Sequence, residues 1–178
     1  MFMRTSAPQP TLPDAEQLYT QLKAAVQTAL TPQTVLLGIH SGGAWLSERL
    51  ERDLQLQGRV GSISSSMYRD DFAKRGLAAS LPSDIPFDIN GAQVILVDDV
   101  LYTGRTIRAV LNELFDYGRP ATVQLMVLVD RAGRHLPFAA NFAAAQADFA
   151  PQTSLNLSTR DAGQLAFTLK NKEQGHAE

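Results

Sequence analysis

Val94-Ile95-Leu96-Val97-Asp98-Asp99-Val100-Leu101-Tyr102-Thr103-Gly104-Arg105-Thr106 is the stretch on which the reading of this chain turns. Its apolar run, bounded by Gly91 and by an acidic pair, reads as a buried strand. Beyond it, Ile107, Val110, Leu111, Leu114 and Phe115 fall at helical spacing. The backbone N–H groups of Gly104, Arg105 and Thr106 open that helix, where the dipole favours a phosphate. Thr103 and Thr106 add hydroxyls, and Gly104 lets the backbone approach closely. Asp98 and Asp99, at the strand's carboxyl end, suit sugar hydroxyls or water on a hard cation such as Mg²⁺. An acidic pair alone can be a solubilising turn, and Thr-Gly alone a helix cap. Joined without a spacer, they describe a site for a phosphorylated sugar.

Outward from this stretch, helix and strand patterns alternate. Leu18, Leu22, Ala25, Val26 and Ala29 form one face of a helix entered through Pro13 and Asp14 and ended by Thr31-Pro32. Val35–Ile39 reads as a strand, 44–54 as a helix, Val60–Tyr68 as a serine-rich strand and Val123–Val129 as a strand closed by Asp130. Leu165–Leu169 alternates as an edge strand does, while residues 1–12 and 170–178 are expected to be loose ends. The pattern predicts an α/β fold, a mainly parallel twisted sheet with helices on both faces. Ligands of such sheets bind beyond the carboxyl ends of the strands.

Two other strand ends contribute candidates. His40-Ser41-Gly42-Gly43 is a strand-to-helix turn whose backbone N–H groups can face an anion, with the Ser41 hydroxyl beside them. A tight turn is the plainer reading of the two glycines. Between Arg69 and Asn90 lies a long connection carrying Arg69, Lys74 and Arg75, a length common in active-site lids.

The central stretch resembles the phosphoribosyl-pyrophosphate (PRPP) signature of type I phosphoribosyltransferases. The likeness extends to Tyr68-Arg69-Asp70-Asp71, to Pro82–Asp88, to Tyr117-Gly118-Arg119-Pro120 and to Val127–Arg131 followed by Leu136-Pro137. These segments resemble the PyrR group in particular, pyrimidine operon regulators that double as uracil phosphoribosyltransferases. The resemblance runs from about Val35 to Phe142. It implies a single type I phosphoribosyltransferase domain with a small hood at about 130–155, forming UMP and pyrophosphate from uracil and PRPP with Mg²⁺. By the same resemblance Asp98, Asp99 and Arg69 are catalytic, Asp98 and Asp99 reaching the metal through water or ribose hydroxyls. Thr103, Gly104, Arg105 and Thr106 hold the 5′-phosphate, and Ser41, Gly42, Gly43 and Arg69 the pyrophosphate. Asp130 and Arg131 meet the base. A homodimer or higher oligomer is implied, as is a UMP-sensing role in pyrimidine gene regulation. Two departures stand out. The family commonly carries Arg where this chain has Gly42, and the usual Gly-and-Lys hood stretch is replaced by the Ala-rich run 142–147.

Composition bounds the alternatives. The 178 residues, 44% hydrophobic, suffice for one domain with a substantial core. The absence of cysteine removes disulfides and cysteine-based zinc sites and fits a cytoplasmic protein. No apolar stretch approaches the roughly 20 residues of a membrane helix, and the N-terminal residues lack a signal-peptide layout. A net charge of −2 offers no broad attraction for nucleic acid. The first helix carries only Lys23 among Asp14, Glu16, Gln17, Gln21 and Gln27, so RNA as a partner is weakly supported, although Arg131, Arg134 and Arg160 follow later. Besides the enzyme, an RNA-binding attenuator with little catalysis, a relative acting on a purine or orotate, and a metal-binding signalling domain remain as readings.

Overall fold

The computed structural model describes residues 12–65, 81–160 and 163–171. Three helices, α1 (Ala15–Ala29), α2 (Gly42–Leu54) and α3 (Arg105–Tyr117), accompany seven strands among these residues. Strands β1 (Thr34–Ile39), β2 (Val60–Ile63), β3 (Gln93–Leu101), β4 (Thr122–Arg131) and β5 (Phe142–Ala147) form one sheet in the order β2-β1-β3-β4-β5, every pair parallel. β6 (Thr153–Thr159) and β7 (Leu165–Asn171) make a separate antiparallel pair.

Period-two alternation in the sheet feeds two cores. Leu36, Ile95, Val97, Met126 and Leu128 pack with Leu22 and Val26 of α1, Leu46 and Leu50 of α2, and Leu155 and Phe167 of the small sheet. Val35, Leu37, Val94, Leu96 and Val127 face Ile107, Val110 and Leu114 of α3. Helices therefore cover both faces, as the alternating pattern predicts.

Two expectations change. β2 stops at Ile63 because the chain is diverted: Ser62 bridges antiparallel to Asp84, and the Ser64 N–H donates to Ser83 Oγ at 2.8 Å. The later part of the long connection packs on the domain, with Ile85 and Phe87 on the core and Ile89 buried within it, while Arg69, Lys74 and Arg75, which carry the lid reading, lie outside the described residues. The Ala-rich run is not part of a hood but the fifth strand of the main sheet, Asp130 pairing with Gln146 and Val129 with Ala145. Its small side chains let α1 lie close, with Ala144, Ala145 and Ala147 against the α1 core. The covering element is the β6–β7 pair further along the chain.

Glu16 ties that element down. Its carboxylate takes both Arg49 guanidinium N–H groups at 2.9 and 2.8 Å and the Leu165 N–H at 2.7 Å, joining α1 to α2 and β7. The Arg49 hydrogen bonds, ahead of the Leu165 N–H, hold the Glu16 carboxyl below the usual carboxylate range. A depressed folded-state pKa stabilises above the unfolded value near 4.5, and that contribution disappears as pH falls through the folded value. For such a partly exposed pair, worth about 0.5–1 kcal/mol, Glu16→Gln lowers the melting temperature by roughly 1–4 °C at neutral pH. In melts taken as pH falls from 4.5 through the folded value the gap closes; a gap that widens with acid contradicts the assignment.

Candidate active site

Order β2-β1-β3-β4-β5 reverses between β1 and β3, and such a switch point opens a crevice at the strands' carboxyl ends. Both decisive loops converge there. A cavity of about 320 Å³ is lined by Ser41 and Gly42 after β1, Asp98, Asp99 and Tyr102 at the end of β3, and Thr106 in α3. Strand β6 closes it with residues 154–157, and Trp45 of α2 stands at its rim, 37% exposed.

The acidic pair belongs to β3 rather than following it, since Asp98 pairs with Val127 and Val100 with Val129. Each carboxylate first satisfies backbone: Asp98 Oδ1 accepts from Asp99 N–H and Asp99 Oδ1 from Val100 N–H, both at 2.9 Å. Asp99 Oδ2 also accepts the Leu157 N–H of β6 at 3.3 Å. The pair is thereby held rigidly, with Asp98 only 7% exposed.

A helix begins on either side of it. Gly42 and Gly43 are not loop residues but the first turn of α2, which has no side-chain cap. The peptide before them, His40–Ser41, is cis. A Cβ on Gly43 would lie 2.1 Å from the Val97 carbonyl oxygen, so the helix start rests directly on the backbone of β3. A Cβ on Gly42 would lie 2.6 Å from Asp99 Oδ2. Gly42 therefore lets the helix start lie directly against the Asp99 carboxylate. On the other side, Gly104 caps α3 at φ 86°, also without a side-chain cap, and Thr103 Oγ1 accepts the Arg105 N–H at 3.3 Å. The Thr103 carbonyl takes the His135 and Leu136 N–H groups at 3.0 Å, fixing the turn to the segment after β4.

Of the two residues expected at the base, Arg131 lines the same cavity as the acidic pair, whereas Asp130 does not. Arg131, 3% exposed, donates from its two terminal nitrogens to the carbonyls of Phe149, Ala150 and Thr153, leaves its buried Nε without a partner among the described residues, and stacks 4.0 Å from the Tyr102 ring centroid. Asp130 accepts from Arg134 and borders a different cavity, with Gln146 and Asp148. The strand's alternation separates the two side chains, and the buried cation serves the turn that carries β6. Arg69, the fourth pyrophosphate candidate, lies outside the described residues. Trp45, Tyr102 and residues 154–157 were not singled out as site residues. The alternation of Leu155 and Leu157 with polar neighbours after Pro151 signalled a strand, but nothing local signalled its target.

Residues 16–143 match the phosphoribosyl transferase domain family. The bifunctional protein PyrR of Ralstonia nicotianae is 47% identical over 158 residues, covering 86% of this chain and 90% of that one. PyrR of Nitrosococcus oceani is 41% identical over 167 residues, covering 90% and 94%. The chain belongs to the PyrR family of phosphoribosyltransferases. Solved structures of the wider fold agree with this PyrR-family chain in architecture. A hypoxanthine-guanine phosphoribosyltransferase of Bacillus anthracis superposes with a TM-score of 0.58 at 21% identity, over 78% of this chain and 84% of that one. The hypoxanthine enzyme of Trypanosoma cruzi gives 0.56 at 25%, over 76% and 79%.

The donor set suits Mg²⁺. Among the described residues no three His, Cys, Asp or Glu side chains converge into a cage. Mg²⁺ ordinarily takes one or two carboxylates and completes its shell with water and substrate phosphates. Two carboxylates between two helix N-termini, with room beside them for water and substrate oxygens, fit that requirement.

Proposed function

We propose that this cavity binds PRPP and uracil and forms UMP and pyrophosphate. One observation carries the reading: the acidic pair stands between two uncapped helix N-termini, the charge pattern of a sugar with an anionic group at each end. The first turn of α2, Ser41–Gly43, takes the pyrophosphate through backbone N–H groups. The first turn of α3, with the Thr103 and Thr106 hydroxyls, takes the 5′-phosphate. Asp98 and Asp99 accept the ribose hydroxyls.

Cleavage at the anomeric carbon builds positive charge on the ribose and negative charge on the departing pyrophosphate. The fixed carboxylates favour the first, and the α2 N-terminus favours the second. Because both are already oriented by backbone hydrogen bonds, little reorganisation is needed. Mg²⁺ bound with PRPP supplies further neutralisation of the leaving group. Strand β6 covers the cavity and keeps water from the reactive sugar.

The relatives are named bifunctional. For this chain the second role is a UMP-responsive control of pyrimidine biosynthesis genes, with RNA as the partner to test. Lys23, the only basic residue of α1, is paired with Asp53 at 3.5 Å. Pyrophosphate release and nucleotide formation from PRPP and Mg²⁺ are measured with uracil and, in parallel, hypoxanthine, guanine and orotate. UMP from uracil alone is expected. Binding of PRPP or UMP without turnover favours the regulator alone, and no binding of either overturns the site.

A further inference from the structure

Once the anionic groups and the ribose are assigned as above, Tyr102 and Arg131 remain on the cavity lining beside Leu155 and Leu157 of the covering strand, and Tyr102 offers a base the flat aromatic surface among them. Tyr102 is held from three directions. The Arg131 guanidinium stacks 4.0 Å from its ring centroid, and Arg131 is itself fixed by three carbonyls. The Cε2 edge of the ring lies against Gly133, where a Cβ would stand 2.5 Å away and where φ is 108°. Arg134 donates to the Tyr102 backbone carbonyl. Three residues of the segment at the end of β4, Arg131, Gly133 and Arg134, therefore hold Tyr102 in place.

Resting on the function proposed above, we propose that Tyr102 is a specificity-determining residue, a fixed aromatic wall that admits a one-ring base and excludes a two-ring base. The ring cannot rotate aside without giving up the Arg131 stack or meeting the Gly133 backbone. Packed walls of this kind do not deform smoothly. The cavity, about 320 Å³, is shared between the sugar with its anionic groups and the base, so a fixed wall beside the base limits the ring system that fits. Exclusion works by overlap rather than by a hydrogen bond, and it weakens when the ring is removed.

Tyr102→Ala and Tyr102→Leu are compared with wild type for nucleotide formation from PRPP with uracil and with hypoxanthine. UMP and IMP binding is titrated alongside by the emission of Trp45, the chain's only tryptophan. Both variants are expected to shift the uracil-to-hypoxanthine ratio at least tenfold towards hypoxanthine. The KM for uracil rises in both while that for PRPP stays within twofold, a split that a general loss of structure does not produce. Tyr102→Phe keeps the wild-type base ratio. Ratios within twofold of wild type in both folded variants overturn the proposal. Should wild type make no UMP, the enzyme reading fails separately. The wall is then judged by UMP-over-IMP binding, which Tyr102→Ala abolishes if the proposal holds and leaves unchanged if it does not.

Discussion

Asp99→Asn lowers nucleotide formation by about 10²–10³-fold, the range for removing one preorganised charge that meets the transition state, while the protein stays folded. The substitution keeps the size of the side chain and removes its charge. One amide oxygen can still accept the Val100 N–H, so the end of β3 keeps its shape. The amide nitrogen then faces the Leu157 N–H, donor against donor, where Oδ2 accepted at 3.3 Å. Losing one such bond costs on the order of 1 kcal/mol, or about 2–4 °C in the melting temperature. Steady-state kinetics with PRPP as the varied substrate, beside a thermal melt, separate the two effects. Turnover within threefold of wild type removes Asp99 from the chemistry.

Gly43→Ala is the largest expected loss of stability. The added methyl meets the Val97 carbonyl oxygen at 2.1 Å, and that oxygen belongs to a central strand that cannot step aside. Overpacking against fixed backbone costs about 3 kcal/mol, a fall of roughly 6–12 °C in the melting temperature. Displacing the start of α2 also moves the N–H groups assigned to pyrophosphate, so activity falls with stability. Gly58→Ala is the comparison. Its φ is 74° but nothing lies within 4 Å of the added methyl, so only the backbone cost of about 1 kcal/mol applies. Equal losses at the two positions refute the packing argument.

The alternation of β and α elements was legible in the sequence because apolar periodicity is a local signal. Asp14 was read as the entry to α1 and caps it, accepting from the Glu16 and Gln17 N–H groups. The true length of β3 was not legible. Acidic residues are poor strand formers, and Asp98 and Asp99 stay in the strand because their own carboxylates satisfy neighbouring N–H groups. β5 was hidden for a related reason. Alanine carries no strand preference, and the run is a strand because β4 offers it an edge and α1 needs small residues beneath it. At the site, the acidic pair and both helix starts were readable as motifs. Arg131 was read as a cavity residue and lines the cavity, but the three carbonyls it also holds, 18 to 22 residues later, are contacts that no spacing rule encodes. Tyr102 escaped notice because its role comes from what holds it, not from its own chemistry.

The hydrogen bond from Leu157 to Asp99 has a consequence for how the protein is made. Asp99 is tied to β6, β6 is paired with β7, and the Leu165 amide of β7 is tied to Glu16 at the start of α1. This circuit spans the chain from residue 16 to residue 165. A ribosome delivers the sheet strands, both glycine-bearing helix starts and the acidic pair well before it delivers β7. Asp99 therefore gains its partner on Leu157 only after every strand of the main sheet has been made, and the element that covers the site is the last described part of the chain to be delivered.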